Sequence, residues 1–192
     1  SSINVEVPVG TVNGYPASAS SGPVWVNSSE GVDSVPYPFG VTFSYGGHKW
    51  PGVNPVVNYR INPNTGDCSG EETAVQEAAA TWNSVPNKYF TFNYAWSTSA
   101  IAAGFNGYNE VTWRDMGAGA SIGLAYVWWD SLGNLIENDM EFNDAYIFST
   151  AASPPSGQYD VQTIALHEFG HWLFLRDLYG NLSGYPQDTA KV

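Results

Sequence analysis

Apolar and polar positions along the chain fall into two regimes that meet near residue 54. Before that point, short apolar pieces alternate with breakers (GTVNGYPASASSGP, then VDSVPYPFG) without any helical period, which predicts loops and short strands. After it, regular elements follow one another. VVNYRI at 56–61 has strand composition and stops at the turn sequence Asn62-Pro63-Asn64. Ser69 with Glu72 three residues on predicts a capping box, and Val75, Ala78, Ala79, Trp82 and Val85 make one apolar helical stripe ended by Pro86. Phe90, Phe92, Tyr94 and Trp96 then alternate with polar residues, the period of a strand with one face on a core. Further strands are predicted at 110–116, 121–130 and 135–143, the last two joined by a hairpin-type turn at Ser131-Leu132-Gly133-Asn134. Pro154, Pro155 and Gly157 break the chain before Asp160, which is placed to cap a final helix, VQTIALHEFGHWLF. The order β, α, several β, α predicts an α+β fold with a mixed sheet. Residues 1–54 read as an N-terminal extension, whether propeptide remnant, arm or lid, and 55–192 as the folded domain.

Composition narrows the function. Of 192 residues, 18 are acidic and 6 basic, a net charge of −12, which argues against a nucleic acid or an anionic membrane surface as partner. Only 12% of residues are charged, so solubility rests on Ser, Asn, Thr and Gly, a composition of extracellular type. A secreted monomer is expected. The chain opens with SSINVEV, which lacks a charged start followed by an apolar core, so a signal peptide is expected to have been removed or never present. Cys68 is the single cysteine and cannot close an internal disulfide.

Within the final helix, residues 167–171 read His-Glu-Phe-Gly-His, the HExxH pattern. Residues i and i+4 of a helix lie one above the other, so His167 and His171 can aim two imidazole nitrogens at one metal. Glu168 beside them is suited to deprotonate a metal-bound water, whose pKa zinc lowers towards neutrality. A buried helix whose histidines only hydrogen-bond is the competing account. It would leave two His and a Glu seeking partners among Ile164, Leu166, Phe169 and Leu173, and a metal supplies that partner. A catalytic zinc needs a third protein ligand, and Asp177 lies six residues after His171.

Here the sequence resembles the metzincin metalloproteases, whose pattern is HExxHxxGxxH with Asp sometimes in the last place. HEFGHWLFLRD keeps the spacing from first His to third ligand, and Leu178-Tyr179-Gly180 resumes the pattern. TWNSV at 81–85, GLAYVWW, and NDMEFN before YDVQTIALHEFGH resemble the matrixin-like branch, and the likeness spans about residues 53–182. The resemblance implies a zincin fold, a mixed twisted sheet carrying an active-site helix and a backing helix. It also implies a zinc endopeptidase held by His167, His171 and Asp177, with Glu168 as general base. A peptide substrate would lie antiparallel against the edge strand at Gly123, Leu124, Ala125 and Tyr126.

Two departures from the pattern matter. The family's glycine is Phe174 here. Were the helix to run on, Asp177 would sit about 15 Å along the axis from His167 and about 80° round it, so a reversal is required before it. A break with positive φ is expected at Phe174, and Phe174→Gly is expected to relieve strain. Second, the chain ends fifteen residues after Asp177, and neither Met116 nor Met140 is placed to be the family's methionine turn, so the domain is expected to be truncated before it. The alternative function is a proteolytically inactive metzincin-like binding or adhesion module. A zincin of another clan would need a later carboxylate, and Asp188 is the candidate. His48 in GGHKW reads as an exposed loop histidine, and Cys68 as a free thiol or a bond to a missing segment rather than a zinc-capping thiolate. Trp128 and Trp129 read as strand residues with one ring in the core and one outside. Calcium is a second candidate cation, since Asp139, Glu141 and Asp144 offer oxygen ligands, although without the spacing of an EF-hand.

Overall fold

The computed structural model describes residues 10–12, 15–17, 22–24, 37–39, 44–65, 67–86 and 88–177. Leu178-Tyr179-Gly180 and Asp188 lie outside the described residues. The chain divides into two compact units, one of Ser1–Gly47 with Leu175–Val192 and one of His48–Phe174. In the first, β1 (Gly10–Val12) pairs antiparallel with β2 (Tyr15–Ala17), and β3 (Gly22–Val24) pairs antiparallel with β4 (Tyr37–Phe39). A further short strand, β5, covers Ser44–Tyr45.

The second unit runs β6 (Val56–Ile61), α1 (Glu71–Asn83), β7 (Thr91–Ser97), β8 (Asn109–Arg114), β9 (Gly123–Trp129), β10 (Leu135–Asn143), β11 (Phe148–Ser149), β12 (Tyr159–Asp160) and α2 (Val161–Trp172). The last described strand, β13 (Leu175–Arg176), belongs to the first unit and pairs antiparallel with β5. Five strands of the second unit form one sheet in the order β7-β6-β8-β10-β9. The first four of that order are parallel neighbours, while β9 runs antiparallel to β10 at the sheet's edge. An α+β architecture with a mixed sheet and two packed helices is therefore observed.

The core lies between sheet and helices. Val57, Tyr59 and Ile61 alternate inward along β6 and meet Ala74, Val75, Ala78 and Ala79 of α1 and Val161, Ala165, Phe169 and Trp172 of α2 as one buried set. Phe169 packs at 5.4 Å from Tyr59 and 4.7 Å from Phe92, ring centre to ring centre. Trp82 donates its indole N–H to the Leu166 carbonyl at 2.8 Å, tying α1 to α2 through a polar atom the stripe alone would leave wanting.

Three expectations are corrected. No capping box forms at α1: Gly70 is the N-cap, at φ 87, and no side chain caps the helix. The Ser69 carbonyl instead accepts from Thr150, and Glu72 accepts from the Tyr94 hydroxyl, so a tertiary partner has taken the group the box required. The apolar stripe ends at Trp82, because the helix stops at Asn83 and Val85 is 44% exposed beyond it. Along β7, Phe92 is buried but Trp96 is 55% exposed, so the strand leaves the core before its end. The cap on α2 is as expected. Asp160 accepts from the Thr163 amide at 2.7 Å.

Candidate active site

The two faces of helix α2 differ. Val161, Ala165, Phe169 and Trp172 fall on the face turned to the core and are buried, while His167 and His171 are half-buried. Their Nε2 atoms lie 3.1 Å apart with ring planes at 84°. A tetrahedral zinc with bonds of about 2.0–2.1 Å would hold two nitrogens roughly 3.3 Å apart, so the pair fits such an ion with little adjustment. The donor set suits it too, since neutral imidazole is a borderline-soft ligand.

The C-terminal end of α2 is fixed in place by its last carbonyl. Trp172 O accepts from Trp50 Nε1 and from Asn138 Nδ2, each at 2.9 Å, and the Trp172 indole donates to Asp139 O at 3.1 Å. The helix then stops. The Phe174 amide donates to the His171 carbonyl at 2.8 Å, the inner hydrogen bond of a Schellman-type end, and Phe174 itself takes φ 58. The reversal falls at the position where the sequence requires it. The expected surplus strain is offset, however, because the Phe174 ring is only 6% exposed and packs on His48 and Trp129. Asp177 is half-buried, three residues beyond Phe174, and falls in the first unit.

Glu168 is buried, at 5% exposure, and its carboxylate reaches the start of the edge strand. An added Cβ on Gly123 would lie 2.9 Å from Glu168 Oε1 and 2.7 Å from Ile164 Cγ2. That close approach is the signal the sequence reading lacked. Gly123 was expected only to bind substrate through its backbone, yet its missing side chain also makes the space that Glu168 occupies. Along β9, Leu124 is 38% exposed and Ala125 half-buried, and Tyr126 turns its hydroxyl to donate to Glu141 at 2.8 Å.

Other sequence candidates settle into structural roles. His48 is half-buried rather than exposed: it stacks on Trp129 at 4.8 Å, and its Nδ1 lies 3.2 Å from the Gly133 carbonyl, which can only accept, so Nδ1 carries the proton. Neither Trp128 nor Trp129 is a core residue, since β9 is an edge strand and Trp129 stays 48% exposed. Burial, with Glu71 and Asp67 nearby, pushes the Cys68 thiol up, which disfavours the thiolate that metal capping needs.

Asp139 and Glu141 are buried, and their carboxylates accept from the chain's own donors. Asp139 accepts from Gly104 and Glu110, and Glu141 from Ala103 and from Arg114 at 2.6 Å. Asp144 is exposed, and among the described residues these three do not gather as a ligand group.

A helix presenting two histidines and a glutamate beside the antiparallel edge of a mixed sheet defines a zincin-type metalloprotease domain. The family model described as Matrixin matches residues 49–177, and the chain belongs to that family. No curated protein matches the chain. The match makes this a protein of metallopeptidase type. No helix among the described residues is long and apolar enough to cross a membrane.

Proposed function

We propose that the protein is a secreted, zinc-dependent endopeptidase. The observation that carries this reading is the convergence of His167 and His171 Nε2 at 3.1 Å beside a buried Glu168. His167 and His171 would hold the zinc, with Asp177 as third ligand; its support is the family's spacing and the reversal at Phe174, which removes the helical course that would carry Asp177 away. When bound, zinc supplies Lewis-acid polarisation of the scissile carbonyl and an acidified water.

The chain's own residues do the rest. Glu168 accepts the water's proton and delivers it to the leaving amine, a transfer suited to a carboxylate held out of bulk solvent. The peptide lies antiparallel on the edge of β9 at Gly123, Leu124, Ala125 and Tyr126, bound mainly through backbone hydrogen bonds that any sequence can make. Side chains lining the cleft then set preference. An inactive adhesion module is disfavoured by the left-handed Phe174, which gives the helix end the geometry the family obtains from glycine.

Glu168→Gln tests the reading. The variant is expected to retain about one zinc per chain by elemental analysis and to lose roughly 10²–10⁴-fold in hydrolysis of a fluorogenic peptide, since an amide cannot take the proton. Near-native turnover would assign the base elsewhere, and no zinc uptake by the native chain would remove the metal.

A further inference from the structure

We propose that His48, together with Trp129, is a positioning residue: a clamp of rings that holds Phe174 in the left-handed conformation glycine takes unaided, and so directs the chain from the metal helix towards Asp177. The last step rests on the zinc reading above; the clamp itself does not.

Phe174 occupies the position after the helix C-cap with φ 58, where a Cβ is crowded and glycine is the usual residue. Something must favour that conformation over the ordinary ones. The ring of Phe174 meets His48 at 4.4 Å and Trp129 at 5.3 Å, edge to face at 70° and 73°, while His48 and Trp129 stack on each other at 4.8 Å and 16°. Each ring thus touches the other two. These contacts exist only while Phe174 stays left-handed, because a change of φ swings the Cα–Cβ bond away, so they stabilise one backbone state over its competitors.

The clamp is anchored on both sides. Trp129 is the last residue of β9. His48 is keyed to the hairpin turn by its Nδ1 contact with Gly133 O, and Gly133, at φ 82, would bring a Cβ to 3.0 Å from that nitrogen. His48 therefore transmits the fixed position of the hairpin to the end of α2.

The test is a double-mutant cycle on the full chain, comparing native, His48→Ala, Phe174→Gly and the double variant. Two quantities are read: hydrogen exchange of the Phe174 amide in metal-free protein, and zinc affinity by chelator competition. His48→Ala is expected to speed exchange and weaken zinc binding, each roughly tenfold. In the Phe174→Gly background the same change should alter either by less than about twofold, since glycine needs no clamp. Equal effects in both backgrounds, or none in either, would overturn the proposal. Faster exchange with unchanged affinity would overturn the positioning role. A native chain that takes up no zinc would refute the metal reading, while exchange still decides the clamp. Trp129→Leu replaces His48→Ala in the cycle should the latter fail to fold.

Discussion

Phe174 acts on the fold through its backbone and its ring, and the two act in opposite directions. The left-handed conformation costs about 1–2 kcal/mol for a residue with a Cβ, whereas a buried aromatic ring contributes roughly 3–5 kcal/mol. Because the ring is 6% exposed, the second effect is larger, and Phe174→Gly should destabilise the protein by about 2–3 kcal/mol net. For a domain of this size, thermal unfolding should then shift down by roughly 5–10 °C; a variant that melts at or above the native temperature would show that strain dominates. From the sequence, a break at this residue was an expectation, because a helix running on could not bring Asp177 to the metal that the resemblance implies, and Phe174 does take φ 58. The ring's partners were not, since His48 and Trp129 lie 126 and 45 positions away, and no local pattern joins them.

Helix α2 packs on strand β9, and Gly123 sets their separation. With Ile164 Cγ2 at 2.7 Å and Glu168 Oε1 at 2.9 Å from an added Cβ, Gly123→Ala must displace the strand, the helix or the glutamate. If Glu168 is the proposed base, a shift of about 1 Å in it is worth up to roughly 100-fold. We expect at least a tenfold loss of kcat in Gly123→Ala with zinc content unchanged, read by steady-state kinetics beside elemental analysis. An unaltered kcat would mean that Glu168 is not placed by this contact. At this scale the sequence reads well where an element's pattern is its own. The strand composition of β6 and the Asp160 cap of α2 depend on neighbours within one turn or one strand. It misreads the start of α1, where Tyr94 of β7 takes the Glu72 carboxylate that the capping box needed.

Across the whole molecule the acidic excess is partly internal. Glu137, Asp139 and Glu141 share one face of β10, and Glu110 of β8 lies close by. Burial, reinforced by the charges of Glu137 and Glu110, pushes the Asp139 carboxyl up to about 7 despite the amides of Gly104 and Glu110. A folded-state pKa raised above the unfolded one gives stability that is full below the ordinary carboxylate range and lost as pH rises through about 7. Glu141 works in the opposite sense. Burial alone would raise it, but Arg114, the Ala103 amide and Tyr126 together hold it low, so its contribution is lost only in acid. Metal-free protein should therefore gain stability on acidification from pH 8 to about 5, and Asp139→Asn should flatten that slope; denaturant titrations with an unchanged slope would refute the assignment. The sequence showed Asp139 and Glu141 only as oxygen donors for a cation. Their partners were hidden, because backbone amides leave no mark in a sequence.

The same arrangement has an evolutionary consequence. Ala103, Gly104, Asn106 and Gly107 are held through their backbone N–H groups by Glu141, Asp139 and Glu137, while Ile101 and Phe105 of the same segment are 73% and 64% exposed. What β10 grips is therefore backbone, common to every amino acid except proline, although Gly107, at φ 86, also depends on glycine's freedom. Side chains at the outward positions are free to drift without loosening the segment, so relatives can diversify this stretch of surface while its path stays fixed by three acids on a neighbouring strand.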